Sequence, residues 1–334
     1  MTSLRQHIDP KAIRRLRRVA LNTIVTLYLL IMAGGVVRST GAGMGCPDWP
    51  RCFGTWIPPT DVSQLPDNYK EIYGAKLKGE VEFNPVKTWI EYVNRLLGAF
   101  TGIMIFCTLL ATLAFWNSKR GFFWLALLGF VLVGFQGWLG SKVVSFELHP
   151  VVVTVHMLVA IIIVGVLILL FDKADRLAYE RSSGLGLKQS RIGWWVLGLT
   201  LVQVMLGTQV RENIDEVVRV LGYDARSMWI DHLDFRFYLH RTFSILVLGI
   251  NLYWFQMIRK TPQGYKDLKG IIVWSVVILG LETATGIIMA YFGVPAFAQP
   301  VHLTLGILLL GLQFILFLNT KSKDVEVGRV EKVL

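Results

Sequence analysis

Residues 92–115 open Tyr92-Val93-Asn94-Arg95-Leu96-Leu97-Gly98-Ala99-Phe100-Thr101-Gly102 and run on, almost wholly apolar, to Phe115. A stretch of that length crosses the ~30 Å hydrocarbon layer of a bilayer. Backbone groups inside lipid must be satisfied within their own segment, so the stretch is read as a helix and not a strand. Seven further apolar blocks stand at roughly 19–37, 122–140, 151–171, 193–210, 236–257, 270–291 and 299–318. Composition agrees. Of the 334 residues 54% are apolar and 17% charged, and the mean hydropathy is +0.53, whereas an ordinary water-soluble domain is about 45–50% apolar. The expected fold class is an all-α polytopic membrane protein with eight transmembrane helices; disordered, fibrous and secreted disulfide-rich classes are excluded. The first block is too long for the apolar region of a cleavable signal peptide and is counted as a span.

The net charge of +11 invites a nucleic-acid reading, which the placement of the charges excludes. One set of segments comprises the basic N-terminus 1–18, Lys119/Arg120, the 172–192 linker, the 258–269 connection and the 319–334 tail. It carries 21 Lys/Arg against 8 acids, and the opposite set carries 13 against 14. Basic residues concentrate on the cytoplasmic side of membrane proteins. The first set and both termini are therefore expected in the cytoplasm, with the chain multi-pass in a bacterial-type inner (cell) membrane.

Two outer segments, 38–91 and 211–235, are long, while the outer 141–150 and 292–298 connections are short; long loops among short ones usually carry function. The first contains Cys46-Pro47-Asp48-Trp49-Pro50-Arg51-Cys52. A Cys46–Cys52 disulfide is allowed outside the cytoplasm; two free thiols are the alternative, because spacing alone does not set the Cα separation. Cys107, inside the second span, reads as a small apolar packing residue.

The chain also resembles itself. Asn94-Arg95 and His240-Arg241 are 146 residues apart, as are Tyr92 and Tyr238, Gln136 and Glu282, Gly140 and Gly286, and His156 and His302. Gly34-Gly35-Val36-Val37-Arg38 matches Gly207-Thr208-Gln209-Val210-Arg211 at an offset of 173, the first outer loop being the longer. Several chemically unusual residues sharing one offset point to two four-helix units, 19–171 and 193–318. An even number of spans per unit implies parallel units about a pseudo-two-fold axis along the membrane normal.

Asn94, His156, His240 and His302 open the second and fourth spans of each unit, near the outer surface. An imidazole in a lipid-embedded helix is costly and rarely idle. A single one is often no more than an interhelical hydrogen bond, but two at equivalent positions of one bundle point to metal or cofactor ligation. Zinc would need further Cys, His or carboxylate ligands at that depth, and the second unit offers none. One His from each of two helices suits the two axial positions of a heme. Gly98, Gly102, Gly134, Gly137, Gly140, Gly280 and Gly286 thin the walls, a feature that close helix packing also explains. Arg38, Arg95, Arg211 and Arg241 lie at the same outer depth, either to pair with heme propionates or to anchor the interface. His7, His149 and His232 have no such partners and read as surface residues, with His149 kept as a possible extra ligand.

The two units are chemically unequal. His240 and His302 predict a six-coordinate, low-spin heme suited to electron transfer. In the first unit His156 faces Asn94, a poor iron ligand, which predicts a five-coordinate heme open to dioxygen. Glu91 lies one turn outward of Asn94, where a carboxylate relays protons or stabilises a developing cation; a helix N-terminal acid favoured by the macrodipole is the alternative. Phe237 takes its place in the second unit.

These residues resemble the heme A synthase family, membrane enzymes that convert heme O to heme A. The resemblance covers about 19–318. It is carried by Gly35-Val36-Val37-Arg38-Ser39-Thr40-Gly41-Ala42-Gly43-Met44-Gly45-Cys46-Pro47-Asp48-Trp49-Pro50, by Ile90-Glu91-Tyr92-Val93-Asn94-Arg95, and by His156, His240-Arg241 and His302. It implies eight helices in two pseudo-symmetric halves. It also implies a heme b cofactor on His240 and His302, a substrate heme O in the first half, and oxidation of a porphyrin methyl to a formyl group with external electrons. Heme O synthase and an electron donor are the implied partners. The family's acid falls on Glu91. Two positions depart from the pattern: Asn94 replaces the first-half histidine, and residues 211–235 lack the second Cys pair that some members carry. The competing classes are a non-catalytic membrane cytochrome b electron carrier and a transporter built on a repeat. Equal ligand sets would favour the former. Broken helices with mid-membrane polar groups would favour the latter, but Glu282 is the only acid deep in a span.

Overall fold

The structure is a computed structural model that describes residues 9–74, 82–146, 148–179, 187–222 and 224–320. The N-terminal residues with Arg5 and His7, and the tail beyond residue 320, lie outside the described residues. Those described are helical or irregular, and include eight long helices: α1 Pro10–Ser39, α3 Pro85–Thr112, α4 Arg120–Ser145, α5 Pro150–Tyr179, α6 Leu187–Leu221, α7 Phe235–Arg259, α8 Pro262–Tyr291 and α9 Ala298–Thr320. A short helix, α2 (Tyr69–Tyr73), stands in the loop between α1 and α3. Local chemistry sets the starts. Asp9 and Asn84 cap α1 and α3 through the Lys11 and Lys87 amides, with proline at the first helical position. Asp234 caps α7 through the Arg236 amide. Side-chain caps of this kind, and proline at that position, satisfy or remove amides that have no intrahelical acceptor.

Seven of the long helices are long and apolar enough to cross a membrane, and α7 is not among them. The protein is a multi-pass membrane protein. The apolar run of α7 is broken by Arg236, His240, Arg241, Asn251 and Gln256, which lowers its hydropathy without shortening it.

Several helices outrun the apolar blocks. Arg14 to Arg18 already belong to α1, α5 continues to Tyr179 through most of the first turns of the expected linker, and α6 continues to Leu221. The last is a correction: the first part of the expected 211–235 loop is helix. Hydropathy marks where lipid can end, whereas a helix ends where its hydrogen-bond ladder ends. Ion pairs one turn apart support the extensions, Asp172–Arg176 and Arg211–Asp215, both at 2.7 Å. The extended α6 also keeps an apolar stripe, Val210, Ile214 and Val217, covered by Trp229, Leu233 and Val294.

The chain divides into two compact units, Met1–Phe171 with Gln299–Val301, and Asp172–Ala298 with His302–Leu334. In the first, α3 packs on α1 and α4, and Thr23 of α1 meets Thr108 of α3 at 2.8 Å. In the second, Val196, Trp254, Ile258, Leu309, Leu316 and Phe317 form a core. Gln313 of α9 there donates to Thr200 at 3.1 Å and Asn251 at 2.8 Å. Such polar contacts hold helices together where lipid gives no hydrophobic drive for association. Cys107 departs from the sequence reading: it is exposed, on the face of α3 opposite the buried Ile105, Thr108 and Leu109, where a small apolar side chain suits lipid.

The loop between α1 and α3 carries its own core of Cys46, Cys52, Phe53, Leu65 and Tyr69. Cys46 and Cys52 are disulfide-bonded, with Cα atoms 4.9 Å apart. The Asp48 carboxylate accepts from the amides of Phe53 at 2.6 Å and Gly54 at 2.8 Å. Gly45 lets this loop touch α3: a Cβ there would stand 2.6 Å from the Lys87 carbonyl oxygen.

Candidate functional site

In the second unit His240 sits one turn into α7 and His302 near the start of α9. Their ring centroids are 6.4 Å apart and the ring planes cross at 77°. Two metal–imidazole bonds of about 2.0–2.1 Å on opposite sides of one ion put the bonded nitrogens ~4 Å apart and the ring centroids ~6 Å apart. The pair fits one metal held between two rings. Among the described residues no three His, Cys, Asp or Glu side chains converge on a metal position. Two imidazoles from two helices are a donor set that a porphyrin iron takes from a protein.

Each ring has a notch to lie in. A Cβ at Gly207 of α6 would stand 3.3 Å from Cε1 of His240, and one at Gly286 of α8 would stand 3.3 Å from Cε1 of His302. Gln203, one turn before Gly207, donates to the His240 carbonyl at 3.1 Å, while the His240 Nδ1 is buried without a hydrogen-bond partner. The His302 Nδ1 lies 3.0 Å from Thr285 Oγ1 and 3.2 Å from the Glu282 carbonyl oxygen.

The first unit shows the same local arrangement with one ring missing. A Cβ at Gly140 of α4 would stand 3.4 Å from Cε1 of His156, and one at Gly34 of α1 would stand 3.9 Å from Oδ1 of Asn94. Gln136 donates to the His156 carbonyl at 2.7 Å. His156 Nδ1 and Asn94 Oδ1 are buried without partners. An unpartnered buried polar atom is costly. Sequence reasoning named Gly34, Gly140, Gly207 and Gly286 only as repeat or wall residues, not as notches for these four side chains. It missed Gln203 and Thr285 altogether. The Gln136/Glu282 correspondence was the available signal for such braces.

The carboxylate of Glu91 is buried and doubly engaged: Oε1 receives Arg95 at 2.5 Å and Oε2 the Cys46 amide at 2.8 Å. Arg95 also donates to the carbonyls of Asp48 at 2.7 Å, Arg51 at 3.0 Å and Cys46 at 3.0 Å. The guanidinium expected to meet a propionate is thus committed to the disulfide loop, and Glu91 is more than a helix-dipole acid. The pair clamps residues 45–51 onto α3, one turn outward of Asn94. Arg38 lies in the last turn of α1 and Arg211 pairs with Asp215. Arg241 lies over the rings of Tyr238 at 5.3 Å and Phe237 at 5.7 Å. His149 and His232 are the remaining described histidines. His149 is exposed and uses its backbone carbonyl at the start of α5. His232 is exposed with Nδ1 on the Met228 carbonyl at 2.9 Å.

Comparison with known proteins identifies the family of this chain. A heme A synthase of Shewanella oneidensis is 26% identical over 211 residues, which are 63% of this chain and 61% of that protein. One of Listeria welshimeri is 24% identical over 311 residues, 90% of this chain and 94% of that protein. One of Bartonella bacilliformis is 26% identical over 215 residues, 59% and 58% of the two chains. The pattern of the COX15-CtaA family, described as cytochrome oxidase assembly protein, matches residues 17–314. With nearly the whole helical region inside that match, the chain belongs to the COX15-CtaA family, the heme A synthase family whose motifs its sequence carries.

Proposed function

We propose that this chain is a heme A synthase, an enzyme of heme A biosynthesis that oxidises a methyl group of heme O to a formyl group. The family match and relatives named for that activity support the reaction. The single observation that carries the site is the His240–His302 pair, 6.4 Å between ring centroids, each ring lying over a glycine.

In this reading His240 and His302 would hold a resident heme b, which would supply one-electron transfer. Arg38, Arg211 and Arg241 remain the candidates for propionate carboxylates; Arg95 serves indirectly by anchoring the loop. The first unit receives the substrate heme, with His156 on one side of its iron and the weakly coordinating Asn94 on the other, which leaves that side open to oxygen. Glu91 holds a fixed negative charge one turn from Asn94. Charge fixed in advance, where positive charge develops at the methyl carbon, lowers the barrier without reorganisation. Arg95 and the Cys46 amide keep that carboxylate in place, and the same contacts hold the disulfide loop against α3.

The two units derive from an internal duplication of one four-helix unit. Recurrence of a notch glycine at each of the four positions, at offsets of 173 for Gly34/Gly207 and 146 for Gly140/Gly286, supports it. It makes α7 the eighth membrane span and, with the charge asymmetry, puts both termini in the cytoplasm of a bacterial-type cell. Expression of the full chain in a host that supplies heme O, followed by heme extraction and chromatography, tests the activity. Hydroxylated heme or heme A is expected. Unmodified heme O alone, from protein shown to hold its own heme, would reassign the chain as an electron carrier.

A further inference from the structure

An acid inside a lipid span is expensive and calls for a partner. Glu282 is the one acid of the 270–291 apolar block. Its Oε1 sits in a notch of α9, 3.0 Å from where a Cβ of Gly306 would be. Its Oε2 is buried with no hydrogen-bond partner and stands 3.4 Å from Nδ1 of His302. The same Nδ1 faces Thr285 Oγ1 at 3.0 Å and the Glu282 carbonyl oxygen at 3.2 Å. The Thr285 hydroxyl has the carbonyls of Leu281 at 2.9 Å and Glu282 at 3.0 Å to accept its own hydrogen, which lets it offer a lone pair to the ring. A nitrogen surrounded by acceptors is the protonated one, which leaves the Nε2 lone pair for a metal.

No other candidate ligand has this surround. Nδ1 of His240 and of His156 are both buried without a partner. At the 146-residue spacing, Gln136 stands for Glu282, Leu139 for Thr285 and Ala160 for Gly306. Carboxylate, hydroxyl and notch occur together only behind His302.

We propose that Glu282 is a positioning residue that, with Thr285, accepts the Nδ1–H of His302 and sets the reduction potential of the heme this histidine holds. A carboxylate behind a ligating imidazole fixes its tautomer and raises its basicity. A more basic ligand favours the ferric state, so the potential lies lower than with a neutral acceptor. The inference rests on reading His240 and His302 as the ligands of one heme.

The test is a potentiometric titration of the full-length, detergent-purified protein with its own heme, beside E282Q, E282L and T285V. E282Q is expected to keep a low-spin bis-imidazole spectrum and to shift the midpoint potential upward. T285V shifts it the same way by less, and serves where E282Q is not recovered. E282L weakens heme retention by roughly 10–100-fold. Wild-type midpoints in E282Q and T285V, with heme fully bound, overturn the inference. Heme absent from the wild type, or a low-spin signal that survives in H302A, overturns the ligand assignment instead.

Discussion

At His240 in the second unit, Gly207 of α6 gives the ring room and Gln203, one turn earlier, bonds the histidine's carbonyl. At Asn94 in the first unit, Gly34 of α1 keeps the room, but Leu30 stands where Gln203 would correspond, at the 173 offset. Ring and brace have changed together while the notch has stayed. The other pair is conserved in kind: His156 and His302 both lie over glycines, with Gln136 or Glu282 one turn before. In the proposed duplication one half keeps two braced imidazoles for a heme that stays. The other keeps one, for a heme that must enter, react and leave.

The largest effect that can break this comparison comes from the rings themselves. H240A or H302A is expected to remove the tightly held heme of the second unit, read as loss of its absorbance per purified chain; unchanged absorbance in both would end the assignment. E91Q is expected to keep that heme and lower turnover by about 10²–10³-fold, read from the ratio of heme O to oxidised product. Wild-type product with E91Q would leave Glu91 as a loop clamp alone. N94H restores the missing ring over Gly34 and should turn the spectrum of added substrate heme from high-spin to low-spin. A spectrum that does not change would mean that residues 94 and 156 do not face one iron.

The smallest effect sharpens the role of the notches. G207A puts a Cβ 3.3 Å from His240 Cε1, so the ring must give by a few tenths of an ångström. About a 10-fold weaker hold on heme is expected, measured by heme transfer to an apoprotein acceptor. G98A, where a Cβ meets nothing within 4 Å, is its control and should be silent. Equal effects of the two would make these glycines packing residues only.

The all-helical architecture was legible because lipid admits few alternatives: apolar length is a strong signal where every backbone group must be bonded internally. Helix ends were not, since α6 runs beyond its apolar block on an ion pair and a stripe that hydropathy does not weigh. Asn94, His156, His240 and His302 stood out as rare polar residues at one offset, and the ligand roles proposed for the histidines rest on that pattern. The role of Arg95 was not legible, because its charge gives no hint that three carbonyls of a folded loop and the Glu91 carboxylate would surround it. Gln203 was not, because at the corresponding position its partner is Leu30 and the repeat is silent there. Cys107 shows the same limit from the other side: a small apolar residue in a span packs equally well inward or toward lipid.

Low-temperature spin resonance of the purified full-length protein, recorded before and after addition of heme O, tests the central claim most directly. One low-spin bis-imidazole heme per chain, joined by a high-spin signal when substrate heme is added, is the expected result. Two low-spin hemes with equal ligation, or no low-spin heme at all, would contradict the division between a braced electron-transfer half and an open reaction half.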